Sequence, residues 1–193
     1  MKDGVAIEDT EVFIEGTDNI PAPYMTGSNG TYRFDLSMGA DYIIKPYNNQ
    51  NPLNGVSTFD LVLITKHILG IQPFDSPYQY IAGDANKSNS VTAFDIVVLR
   101  KLILNISTDI QNNTSWRFVP ADYEFTEDNP LQESFEESIL VSNLPGTVAN
   151  LDFVAIKIGD VSGNASESAF TTTSTRSSAV SYTHLTLPTI YSV

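Results

Sequence analysis

Asp84, Asn86, Ser88, Ser90, Thr92 and Asp95 carry side-chain oxygens at alternate positions across one short polar stretch. Counted with Asp95 as the twelfth residue, they fall at positions 1, 3, 5, 7, 9 and 12. That is the ligand spacing of an EF-type loop, in which position 7 uses its backbone carbonyl and the hard oxygen donors suit a hard cation, above all calcium. Asn89 stands at position 6, where the sharp turn needs a residue that tolerates left-handed backbone. The same register with Asp60 at position 12 places Asn49 and Asn51 at positions 1 and 3, the Gly55 carbonyl at 7 and Ser57 at 9. Position 5 is then Leu53, which has no side-chain oxygen, and a single carboxylate remains. Ligand charge tunes affinity, so the second loop is expected to hold calcium more tightly than the first. A plainer reading makes both loops Asx-rich turns, with Asp60 and Asp95 as favourable charges at helix N-termini; it is strongest for the first loop.

Asp60 and Asp95 belong to a duplicated segment. Asn54–Ile71 aligns with Asn89–Ile106 at a constant offset of 35 residues. Each copy is a polar loop closing on Asp, then an apolar run of helical length, and such repeats are one structural unit made twice. Leu61, Ile64 and Ile68 form one stripe, and Ile96, Leu99 and Ile103 form its twin. Gly70 and Asn105 suit the helix C-terminal caps. Phe74 to Ala82, flanked by Pro73 and containing Pro77, reads as a linker that lets the second unit fold back antiparallel.

The duplicated loop and helix, the loop register and the Lys66/Lys101 pair resemble a type I dockerin over residues 47–106. In that family the residues at loop positions 10 and 11 and the basic residues one to two turns into the helix meet a cohesin partner. The resemblance therefore implies contacts through Thr58, Thr65 and Lys66 in the first copy and Ala93, Arg100 and Lys101 in the second. Phe59 and Phe94 stand at the same contact positions, but they replace the family's small or hydroxyl residues and read as core instead.

Residues 1–46 read as strands: Val5–Ile7, Val12–Ile14, Thr31–Leu36 with period-two alternation, and Tyr42–Lys45. Gly30, Tyr32, Phe34, Gly39 and Tyr42 resemble the hairpin signature of carboxypeptidase-regulatory-like or collagen-adhesin B-type sandwiches, here as a partial copy. Residues 107–165 form a β-rich extension with strands near Trp116–Val119, Ile139–Val141 and Phe153–Ile158, and Glu124 to Glu137 reads as an acidic surface loop. This extension resembles the continuation of dockerin-like modules in surface proteins of Bacteroidetes-type bacteria. Residues 166–193 read as a Ser/Thr-rich linker and a tail that resembles a translated sequencing adaptor, His184 included. The expected class is thus α+β, a partial β-sandwich followed by two antiparallel loop–helix repeats and a short β-rich extension.

The formal net charge of −13 argues against nucleic acid, whose phosphates need clustered Lys and Arg. No cysteine is present to supply a thiolate ligand or nucleophile. No apolar run is long enough to span a bilayer, and Met1 opens a polar stretch with no signal peptide in view. Asp160–Asn164 resembles the opening of another calcium loop, but its position 12 would be Thr171, so it reads as a turn. His67 reads as a packing or surface residue, and Glu133, Glu136 and Glu137 as solvated rather than as a glycosidase pair. The expected function is a non-catalytic, extracellular, calcium-binding docking module of a larger secreted protein. The alternatives are a spacer in an adhesin-like surface protein and an accessory piece of a polysaccharide-degrading enzyme.

Overall fold

A computed structural model of the chain describes residues 6–17, 20–127 and 129–166, together with the backbone of 183–185 and 191–192. The strands are β1 (Glu11–Gly16), β2 (Tyr24–Met25), β3 (Asp35–Leu36), β4 (Tyr42–Tyr47), β5 (Trp116–Pro120), β6 (Ile139–Val141), β7 (Phe153–Lys157), β8 (Thr183–Leu185) and β9 (Tyr191–Ser192). The helices are α1 (Thr58–Ile68), α2 (Pro77–Gly83) and α3 (Ala93–Ile103), and one 3-10 turn covers Pro130–Gln132. The class is mixed α+β.

One antiparallel sheet has the order β2-β1-β4-β6 and a second has the order β5-β7-β8; β3 pairs in parallel with β9. Alternation decides the inner face of the first sheet: Val12 and Ile14 of β1 and Tyr42 and Ile44 of β4 are buried, while Glu11 and Glu15 point outward. Pro46 has no N–H to give a ladder. It lies where β6, which pairs only Tyr42 to Ile44, no longer flanks β4.

β7 is the wall between two cores. Phe153 and Ala155 join the core that holds Ile7, Val12, Tyr32, Phe34 and Ile44. Val154 and Ile156 face the other way, into the core that holds Ile64, Ile81, Leu99 and Leu102 of the helices. β5 behaves alike: Trp116 and Phe118 go to the first core and Val119 to the second. A strand with both faces dry reads as an unbroken apolar run, as Phe153–Ile156 does, rather than as an alternation.

The segments 1–46 and 107–165, expected as a partial sandwich and a separate extension, therefore share one core, with the helical repeats running between β4 and β5. The expected linker of residues 74–82 is largely the helix α2, because Pro77 occupies the first helical turn, where a missing N–H costs nothing, and Ile81 and Ala82 are buried. The expected strand Thr31–Leu36 pairs only at Asp35–Leu36, yet Tyr32, Phe34 and Leu36 are all buried as its period required. Residues 6 and 7 form no strand, although Ile7 is buried. The acidic stretch 124–137 also buries Leu131 and sets Phe125 edge-on to Tyr78, Tyr123 and Phe135. The Ser/Thr-rich linker and tail lie outside the described residues apart from the backbone of β8 and β9.

Because β7 serves both cores, Phe153→Ala should destabilise the chain by about 3–5 kcal/mol. Both layers should unfold together. In urea, the fluorescence of the single Trp116 and the helical signal at 222 nm should share one midpoint in wild type and variant; separated midpoints would mean the sandwich and the helices are independent.

Candidate metal centre

The start of each long helix is built the same way. Thr92 caps α3 and Ser57 caps α1, each closing a capping box with the Asp three residues on. Asp95 Oδ2 accepts the Thr92 N–H at 2.7 Å, and Asp60 Oδ2 accepts the Ser57 N–H at 2.9 Å. At the far ends, Gly70 and Asn105 take the left-handed conformation expected of them, with φ of 67° and 54°.

The second loop forms a closed cage of its own residues. Asp84 Oδ1 accepts the Ser88 N–H at 2.9 Å, Asp84 Oδ2 accepts the Asn89 N–H at 2.8 Å, and Asp95 Oδ1 accepts the Asn86 N–H at 3.1 Å. Lys87 and Asn89 supply the left-handed turns. Ser88 Oγ lies 3.2 Å from Ser90 Oγ and 3.3 Å from the Ser90 carbonyl oxygen. The structure thus gathers Asp84, Asn86, Ser88, Ser90, Thr92 and Asp95 around one loop. Asn113, from beyond α3, braces it by donating to the carbonyls of Asp84 and Ala85.

The first loop is not the continuous one expected. Asn49 Oδ1 accepts from the Ser115 N–H at 2.8 Å and its Nδ2 donates to Asp109, so it ties the chain to the approach of β5. Asn51 is exposed in a left-handed turn, its carbonyl accepting from Asn54 N–H. Gly55, Ser57 and Asp60 do belong to a loop, but its opening comes from residues 160–165. Ser162 N–H donates to Asp60 Oδ1 at 3.0 Å, across a separation of 102 residues. Asp160 Oδ1 accepts Asn164 N–H at 3.2 Å, and Asp160 Oδ2 accepts Ala165 N–H at 2.7 Å. Bond for bond, these repeat the Asp84 cage: Asp160 stands for Asp84, Ser162 for Asn86, Asn164 for Ser88 and Asp60 for Asp95. Asp160–Asn164 is therefore half of a split loop rather than a free turn. Leu53 and Pro52 could never have supplied that half. Gly55 is required at the seam, since a Cβ there would stand 2.6 Å from the Ala165 Cα.

Asp60, Asp84 and Asp95 are fully buried and Asp160 nearly so. None of the ion pairs found among the described residues involves them; Lys87, which sits in the second loop, pairs with Glu137 instead. Burial raises the Asp95 carboxyl above its ordinary range, with the Asp84 charge adding to the rise, against the hydrogen bonds from Thr92 and Asn86. Burial and the facing Asp60 charge do the same to Asp160. Each loop thus holds two like charges in low dielectric and lines them with neutral oxygens, an arrangement that a hard divalent cation would relieve. Among the described residues no group of three or more His, Cys, Asp or Glu comes together, so any cation would depend on hydroxyl, amide and carbonyl oxygens for the remainder of its shell.

Lys157 lies beneath the split loop. Its ammonium donates to the Pro52 carbonyl at 2.7 Å and to the Ile158 carbonyl at 3.2 Å. Burial pushes its pKa down to about 7, against the opposing charges of Asp160 and Asp60. His67 is a packing residue: it stacks on Phe74 with centroids 4.0 Å apart and accepts the Phe74 N–H on Nδ1. Glu133 accepts the N–H groups of Thr126 and Glu127, and Glu137 bonds Arg117 at 2.8 Å. Glu136 stays exposed.

On the outer side of the helix pair, Phe59 is 57% and Phe94 74% exposed, against the expectation of core. The inner faces already spend their burial on Asp60, Ile64, Asp95, Leu99 and Leu102, and residues one position before Asp60 and Asp95 point away from them. Thr58, Thr65, Ala93, Arg100 and Lys101 are exposed beside these rings and Lys66 is half-buried.

Comparison with known proteins finds no match for this chain among family models, curated proteins or solved structures.

Lys157 predicts a pH effect. Its folded pKa lies below the value of about 10.4 in an unfolded chain. Above pH 7 the native state therefore binds fewer protons than the unfolded state, and stability rises with pH. In chelator, the urea midpoint of wild type relative to Lys157→Met should climb between pH 7 and pH 9; parallel curves would show that the ammonium titrates normally.

Proposed function

We propose that this chain is part of a larger secreted protein, extracellular or at the cell surface, and that its helical pair is a non-catalytic, calcium-stabilised, dockerin-like docking module. The observation that carries this reading is the outer face of α1 and α3. Phe59, Val62, Leu69 and Ile71 are exposed, and so are their partners at the repeat offset, Phe94, Val97, Leu104 and Ile106. Exposed apolar patches of this kind mark interaction surfaces. The chain carries a net charge of −13, yet this face gathers Lys66, Arg100 and Lys101. A fitting partner is a cohesin-like surface with an apolar centre and a rim of carboxylates.

Calcium in this reading is structural. In the Asp84–Asp95 loop and in the split Asp160/Asp60 loop it would neutralise the facing carboxylates and hold each loop against its helix start, so that binding energy becomes folding energy. No described helix is long and apolar enough to cross a membrane.

Calcium at about 100 times its dissociation constant adds roughly 2.7 kcal/mol per site, or about 5–10 °C in melting temperature for a chain of this size. Asp84→Ala and Asp160→Ala should each lose part of that increment and the double variant all of it, while Asn51→Ala keeps it. Equal melting in calcium and in chelator would end the calcium reading. The increment should also shrink as pH falls toward the carboxylate range. Burial raises the Asp95 and Asp160 carboxyls, so the metal-free native state takes up protons before the unfolded chain does and gains stability from them, while protons compete with the cation.

For docking, titration calorimetry against a panel of cohesin modules should show binding that Phe59→Asp/Phe94→Asp removes without lowering the melting temperature. A silent panel in saturating calcium would favour the spacer.

A further inference from the structure

We propose that residues 159–166 are a releasable strap: they complete the start of α1 from outside its own repeat, so the α1 half of the helical pair can open while the α3 half stays folded. The two helices are alike in sequence, but their loops are closed by different means. The α3 loop closes within itself, Asn86 N–H to Asp95 at a separation of nine residues. The α1 loop closes only when the strap is seated.

The strap is held mainly by polar contacts. Besides the Ser162 bond to Asp60, Gly159 N–H donates to the Ala82 carbonyl at 2.8 Å. Gln79 Nε2 donates to the Val161 carbonyl at 3.1 Å. Asn54 and Ser166 bond reciprocally, Asn54 Nδ2 to the Ser166 carbonyl at 2.8 Å and Ser166 N–H to Asn54 Oδ1 at 3.1 Å. After Ile158, Val161 is the one large apolar side chain of the strap that is fully buried. Asn164 and Ser166 are exposed. Asp160 faces Asp60 with a like charge. A segment with one large buried apolar side chain, an exposed clamp between Asn54 and Ser166 at its end and internal repulsion sits toward the low-stability end of a fold, where opening is local rather than global. The wall behind it is different: β7 ends at Lys157 with both faces buried, so release stops there.

The inference concerns the fold and needs neither a partner nor calcium. Its test is hydrogen exchange on the full chain at fixed millimolar calcium, repeated in chelator, with far-UV dichroism to confirm folding. Asp160→Ala should speed exchange of the amides of residues 56–64 on the order of ten-fold, with residues 93–103 unchanged, because several backbone bonds are lost locally. Asn54→Ala, which removes only the clamp on Ser166, should act in the same direction with a smaller effect. Asp84→Ala should show the reverse selectivity. If Asp160→Ala does not fold, Asn54→Ala decides. Faster exchange in α1 and α3 together in the Asn54→Ala chain, or no change in α1, would overturn the strap. The same selectivity in chelator would uphold it even where the calcium reading fails.

Discussion

The arrangement depends on β7 having no wet face. A strand that gives Phe153 and Ala155 to one core and Val154 and Ile156 to another cannot be satisfied by either alone. It makes the sandwich and the helical pair one packing problem, and it fixes the distance between the outer sheet and the helices. Lys157 ends this strand with its stem inside and its ammonium given to the Pro52 carbonyl, and that bond draws the approach to α1 against the wall. The position of the first helix is thus set by a residue about a hundred positions later in the chain.

On that scaffold the two helix starts solve one problem twice. A carboxylate at a helix N-terminus is favoured by the free N–H groups there. Here the second oxygen of each reaches sideways, Asp95 to Asn86 and Asp60 to Ser162, so that a cap becomes the closure of a loop. A second carboxylate, Asp84 or Asp160, then orders the turn from below by accepting consecutive backbone N–H groups. The cost is two like charges shut away from water in each loop, visible in the raised titration of Asp95 and Asp160. Helix geometry supplies the remainder: once Asp60 and Asp95 must point inward, Phe59 and Phe94 must point out.

Local pattern carried much of this. The 35-residue repeat, the loop register from Asp84 to Asp95, the caps at Gly70 and Asn105 and the inward set Tyr32, Phe34 and Leu36 all follow from short-range spacing. The split loop does not, because its twelfth position precedes its first by a hundred residues and no window contains both. One signal was present: Gly159-Asp160-Val161-Ser162 matches Gly83-Asp84-Ala85-Asn86 in type, and a first loop short of carboxylates was the counterpart it lacked. The rings at 59 and 94 read as core in the sequence because an apolar residue beside a buried one usually is. An 11-residue helix that buries one face still has an outer face to fill. Two prolines hid α2, although Pro77 is at home in a first turn.

The seam between Gly55 and Ala165 also orders the events of synthesis. A chain is made from its N-terminus, so the loop of α3 has all its residues as soon as Asp95 has emerged. The loop of α1, whose helix is made earlier, must wait for Ala165. During that interval both helices lack their wall, but α1 alone also lacks its closure, and the later loop is the first that can close. Two copies of one sequence unit thereby acquire different histories, and the older stretch of chain becomes the younger piece of structure.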